Sequence, residues 1–130
     1  MTVLDASVAL ARALPDEHSN AADALVAMLE RFGTLAPTVW TYEVASGIRI
    51  AQRRGRITAV QAEQALAITS ALPIEFVHPR SHDLVDVAGA TGLSVYDASY
   101  LAVCRMHDLP LASFDARMRD AATGLGIDLL

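Results

Sequence analysis

The chain has 130 residues, 53% of them hydrophobic and 19% charged, with a mean hydropathy of +0.34. That is one domain's length of chain with enough apolar side chains to bury a core, which excludes a disordered polymer. A formal net charge of −5 excludes an all-over basic coat for nucleic acid, and a single cysteine excludes an internal disulfide and fits a reducing compartment.

Thr2-Val3-Leu4 is a short apolar run and is expected to be a buried strand that stops at Asp5. Ala6 to Leu14 reads as a helix ended near Pro15. Ala21, Leu25, Met28, Leu29 and Phe32 recur at helical spacing, so Asn20 to Phe32 is expected to be an amphipathic helix. Thr34-Leu35-Ala36 is a candidate strand before Pro37, and a helix follows from about Thr38 to Arg54. Thr58 and Gln61 match a capping box that opens a helix to about Leu72. Ile74 to Val77 reads as a strand, and Ser81 as the cap of a helix that carries Leu84, Val87, Ala88 and Thr91 on one face. Ser94 and Asp97 repeat the capping-box pattern ahead of a helix from Val95 to His107. Leu109 to Ala112 is expected to be a strand, a last helix runs to Thr123, and Ile127 to Leu129 is expected to be a final short strand.

Short apolar strands that alternate with helices indicate a parallel sheet covered on both faces, an α/β sandwich. The whole chain, residues 1–130, reads as one domain without repeats or linkers. No stretch approaches the roughly eighteen apolar residues that a membrane span needs. Met1-Thr2-Val3-Leu4-Asp5 has an acid in its first apolar run and no basic segment, so a secretory signal is not expected and a cytoplasmic location is.

All ten basic residues are arginine, and no lysine occurs. A P-loop and Schiff-base chemistry are therefore excluded, since both need a lysine amine. Phosphoaspartyl enzymes and receiver domains, which place an Asp after a first strand and a lysine near the phosphoryl group, are poor fits.

In a parallel sheet, ligands bind beyond the carboxyl ends of the strands. Asp5, Glu43, Asp97 and Asp115 all sit where that rule points. Each has a local reading: Asp5 and Asp115 as helix caps, Asp97 as the acid of a capping box, Glu43 as a solvated helix residue. Together they read more economically as one site. Two carboxylates about 5 Å apart repel by roughly 3 kcal/mol at an effective dielectric of about 20. Four could not stay ionised without a cation, and oxygen-only donors favour Mg²⁺, or Mn²⁺, over Zn²⁺. Such a site suits metal-assisted phosphodiester hydrolysis.

Val3-Leu4-Asp5-Ala6-Ser7, Trp40-Thr41-Tyr42-Glu43-Val44, Ser94-Val95-Tyr96-Asp97-Ala98-Ser99-Tyr100-Leu101-Ala102 and Leu111-Ala112-Ser113-Phe114-Asp115 occur in this order. With these blocks the chain resembles the PIN-domain ribonucleases, in particular the VapC toxins of bacterial type II toxin–antitoxin systems. The resemblance spans essentially the whole chain. It implies a PIN-like three-layer α/β/α sandwich with a short central parallel sheet. It implies that Asp5, Glu43, Asp97 and Asp115 bind Mg²⁺ and are catalytic, with Ser113 a supporting hydrogen-bond donor. Ser7 is expected to hydrogen-bond near Asp5. The activity implied is attack of a metal-activated water on an RNA phosphodiester. A cognate VapB-like antitoxin and a toxin homodimer are implied as partners. Many relatives have Asn where this chain has Ser46, and Thr where it has Ser113; both departures keep a polar group.

Arg49, Arg53, Arg54 and Arg56 form the one dense basic patch, readable as an RNA-phosphate or antitoxin contact or as a solvated helix end. Pro79 separates His78 from His82 and speaks against a metal pair, and Cys104 reads as a core residue. The alternatives are a catalytically silent PIN-like module that binds RNA or protein, and a phosphotransfer domain using Asp5. The Asp5-Ala6-Ser7 spacing, without a second acid, weighs against the latter.

Overall fold

A computed structural model describes residues 1–130. Four strands, β1 (Thr2–Leu4), β2 (Thr34–Pro37), β3 (Ile74–Val77) and β4 (Leu111–Ala112), form one parallel sheet in the order β3-β2-β1-β4. Val3 pairs with Leu35 on one side and Leu111 on the other, which makes β1 central. β1 and β2 are buried along their whole length, as strands covered on both faces must be. β3 lies at an edge, where Glu75 is exposed and discourages further pairing.

Seven helices surround the sheet: α1 (Ala6–Ala13), α2 (Asn20–Phe32), α3 (Trp40–Arg53), α4 (Ala59–Ser70), α5 (Ser81–Thr91), α6 (Val95–His107) and α7 (Ala116–Gly124). The connections from β1 to β2 and from β2 to β3 step one way across the sheet, and that from β3 to β4 steps back. Right-handed crossovers then put α1 to α4 on one face and α5 and α6 on the other. The packing agrees: α1 meets α2, α3 and α4, while α6 meets α5 and lies across β1, β2 and β4. This is the three-layer α/β/α sandwich expected from the sequence. Helix α6 is buried continuously from Ala98 to Cys104, so it is anchored against the sheet from the residue after Asp97 onward.

The Thr58–Gln61 capping box forms with both of its hydrogen bonds. Other local expectations need correction. On α2 the buried residues are Ala22, Val26 and Leu29, whereas Ala21 and Phe32 are exposed. The stripe that faces α1 is chosen by the docking, and Phe32 instead lies on the surface beneath the Arg31 guanidinium, 5.6 Å from its ring centre. Ser81 is the first helical residue of α5 rather than its cap. Arg80 holds the cap position and turns its side chain to Asp83 at 2.9 and 3.2 Å. β4 is only two residues long, because Asp108 ends α6 in the left-handed region and Pro110 has no N–H to give a ladder. With so short a partner, the expected strand Ile127 to Leu129 is reduced to one bridge between Leu111 and Leu129.

Candidate active site

The chain leaves β1 towards β2 on one side and enters β4 on the other, so the carboxyl ends of β1 and β4 border the switch point of the sheet. Asp5 follows β1 there, only 5% exposed. It occupies the cap position of α1, yet its side chain caps nothing. Oδ2 instead accepts hydrogen bonds from the hydroxyls of Ser7 and Ser113, each at 2.6 Å. Each hydroxyl in turn accepts a backbone N–H, that of Phe114 on Ser7 and that of Asp115 on Ser113, both at 3.0 Å. The two hydroxyl protons are thereby committed to Asp5. Burial holds the Asp5 carboxyl above the usual range, the two serine bonds pull it back down, and the charges of Asp115 and Asp97 push it up.

Glu43 lies in the first turn of α3, half-buried, and its Oε2 accepts a hydrogen bond from the Tyr100 hydroxyl at 2.5 Å. Burial raises its carboxyl, the Tyr100 bond opposes this, and the charges of Asp5, Asp97 and Asp115 add to the rise. Burial and the Glu43 charge hold the Tyr100 phenol far above its ordinary value, so it remains a donor. Tyr100 was not singled out from the sequence as a partner of Glu43. The available signal was a tyrosine one helical turn after Asp97, on the buried stretch of the same helix.

Asp97 donates its backbone N–H to the Ser94 hydroxyl at 3.1 Å, but its carboxylate does not return the bond, so only half of that capping box forms. The carboxylate is left for other work. Together with Glu43 and Ser46 it lines an open cleft of about 550 Å³. For Asp115 the capping reading holds: one carboxylate oxygen accepts the N–H groups of Arg117 and Met118 at 2.9 and 3.2 Å. Its second oxygen is uncommitted, and with Ser7 it borders another cleft, of about 560 Å³.

The mutual charge effects put Asp5, Glu43, Asp97 and Asp115 in one electrostatic field. No cation of the chain neutralises them. The ion pairs lie elsewhere: Arg12 and His18 with Asp23, Arg56 with Asp16 and Glu17, Arg80 with Asp83, Arg105 with Asp86. No three Asp, Glu, His or Cys side chains approach closely enough to enclose a metal by themselves. Mg²⁺ retains several waters and takes only one or two carboxylates directly, so this spread, unneutralised oxygen set fits it.

The arginine patch divides. Arg56 is tied to Asp16 at 2.6 Å, holding the end of α3 to the segment after α1, which removes it as a free phosphate contact. Arg49, Arg53 and Arg54 are exposed, and none forms an ion pair. Arg54, the residue that caps the end of α3, lies three helical turns beyond Glu43 on the same side, about 16 Å away. Cys104 is buried and its thiol is pushed up to about 12 by burial, as suits a core residue.

The sequence matches the PIN domain model over residues 2–124. Among solved structures, the crystal structure of PAE2754 from Pyrobaculum aerophilum is similar, with a TM-score of 0.72 and 22% identity over 92% of this chain and 78% of that one. A likeness at that identity carries the fold. No curated protein matches the sequence. No helix is long and apolar enough to cross a membrane. With its sheet order, its acids at the carboxyl edge and this match, the chain belongs to the PIN domain family, whose members are generally nucleases.

Proposed function

We propose that this protein is a Mg²⁺-dependent endoribonuclease acting as the toxin of a type II toxin–antitoxin system, in the manner of the VapC proteins. On this reading it works in the cytoplasm as a homodimer, and a cognate VapB-like antitoxin restrains it. The observation that carries the reading is the shared field of Asp5, Glu43, Asp97 and Asp115 at the switch point of the sheet, with no side-chain cation to balance it. These four residues would hold Mg²⁺, or Mn²⁺, partly through water. A bound Mg²⁺ supplies positive charge against phosphate oxygens and makes water more acidic. The chain itself supplies orientation. Ser7 and Ser113 hold the Asp5 carboxyl in one rotamer and favour its ionised form, Tyr100 holds Glu43, and the helix amides of Arg117 and Met118 hold Asp115. Arg49, Arg53 and Arg54 are available to the phosphates of a bound strand.

The test is cleavage of unstructured RNA by wild type and by Asp5→Ala, with Mg²⁺ and with EDTA. Loss of cleavage in EDTA, recovery on adding Mg²⁺, and an inactive Asp5→Ala are expected. Cleavage that survives both changes overturns the reading. The competing view is a silent module that binds RNA without cutting it. Saturable RNA binding with no turnover in any divalent metal would establish that view instead.

A further inference from the structure

Of the three tyrosines, Tyr100 is buried, while Tyr42 and Tyr96 are 78% and 67% exposed. Each exposed tyrosine immediately precedes an acid of the site, Glu43 or Asp97. Neither ring is paired with another aromatic ring of the chain. The two rings line the Glu43–Asp97 cleft and also a second cleft of about 260 Å³, between α3, the turn after β3 and the start of α6. Pro37, Pro79 and Leu84 give this second cleft an apolar lining, and His78 gives it a polar edge. His78 Nδ1 meets the Thr38 hydroxyl at 3.4 Å, which leaves its Nε2 for a ligand.

We propose that this second cleft seats one unpaired nucleobase of the RNA, stacked on Tyr42 and Tyr96 beside the carboxylates that face the adjoining phosphate. The proposal rests on the ribonuclease reading and adds a base-binding subsite to it. The chemistry favours a base over a protein partner. A docked helix needs a long groove that accepts anchors from successive turns. At about 260 Å³ this cleft is smaller than the roughly 300–1,000 Å³ of pockets for drug-sized ligands, and it is short rather than a long groove. Aromatic faces with a hydrogen-bonding edge are what unstacked bases use. Because the cleft shares Tyr42 and Tyr96 with the acidic cleft, a nucleotide with its phosphate at Glu43 and Asp97 has its base at the entrance.

The experiment measures binding by the non-cleaving Asp5→Asn protein. A labelled oligoribonucleotide of about eight residues is used, with an abasic residue moved through it one position at a time. One abasic position is expected to lose between about 5-fold and 150-fold in affinity, the range of base–aromatic stacking, with the others near unity. In Tyr42→Ala/Tyr96→Ala on the same background, intact and abasic strands should bind equally. The matching pair of phenylalanine substitutions, which keeps both ring faces, should restore the difference. A flat abasic scan alongside active cleavage by wild type overturns the base seat and leaves the nuclease reading standing. Absence of both binding and cleavage overturns both. If the double alanine variant turns from dimer to monomer while its abasic profile stays unchanged, the face belongs to a second copy of the chain, and the proposal fails.

Discussion

Replacing Ser113 by alanine isolates a hydrogen bond that favours the ionised form of Asp5 against the effect of burial. Ser113 is 1% exposed; its hydroxyl donates to Asp5 at 2.6 Å and accepts the Asp115 N–H at 3.0 Å. A bond to an ionised carboxylate contributes about 1.5–3 kcal/mol, and stranding the Asp115 amide costs about 1 kcal/mol. Where Asp5 is ionised, the metal-free protein is therefore expected to lose about 2.5–4 kcal/mol, a large share of a typical domain's stability. The loss should depend on pH. Burial raises the folded pKa of Asp5 above that of an aspartate in the unfolded chain, so Asp5 withdraws stability as pH climbs from the unfolded through the folded value. The Ser113 bond limits that rise, and without it the folded pKa climbs further. Between the two folded values wild type is ionised and Ser113→Ala is protonated, so the stability gap widens with pH across that window and is constant above it. At acid pH the missing bond is a neutral one, worth about 1 kcal/mol, and the stranded Asp115 amide still adds about 1 kcal/mol, as it does at every pH. The assay is urea unfolding in EDTA at about pH 4.5 and pH 8, followed by the fluorescence of Trp40, the one tryptophan and a buried one. Ser113→Thr, which keeps the hydroxyl, should recover most of the loss. A gap equal at both pH values, or below about 0.5 kcal/mol, would refute the coupling between Ser113 and the Asp5 charge.

The Asp97 carboxylate makes no hydrogen bond, and its charge raises both Asp5 and Glu43. Asp97→Asn should thus leave the metal-free melting temperature unchanged or higher while Mg²⁺ binding, read by calorimetry, is lost; a clear fall in melting temperature would make Asp97 structural. Ser94→Ala, by contrast, removes the actual cap of α6 and should cost about 1 kcal/mol in thermal or urea unfolding. Tyr100→Phe deletes the donor to Glu43, whose carboxyl then rises further, so the acid limb of the pH–rate profile should move to higher pH; an unmoved limb would take Glu43 out of the reaction. Arg54→Ala should reduce the salt dependence of RNA binding by about one phosphate contact, whereas Arg56→Ala should leave it unchanged. Equal slopes for the two variants would return Arg56 to the RNA surface.

Most elements could be read from the sequence because they depend on neighbours within one or two turns. Thr58 and Gln61 announce α4, and the apolar runs at Thr2, Thr34 and Ile74 announce strands. Their alternation with helices pointed to a parallel sheet, and the parallel sheet pointed to one edge. That is why Asp5, Glu43, Asp97 and Asp115 could be named together. Which stripe of α2 is buried, and how little of the chain after α7 joins the sheet, depended on docking and stayed hidden. The roles within the site were hidden for the same reason. A carboxylate after a strand can cap a helix or stay free, and local sequence does not distinguish the two: Asp115 caps α7, while Asp5 caps nothing. The choice falls to partners that only folding brings near. Ser113 reaches Asp5 across 108 residues, Tyr100 reaches Glu43 across 57, and Asp16 claims Arg56 across 40. Backbone preferences act over a few bonds and are written locally, whereas a side chain's hydrogen-bond partner and its desolvation are set by whichever distant segment the core packs beside it.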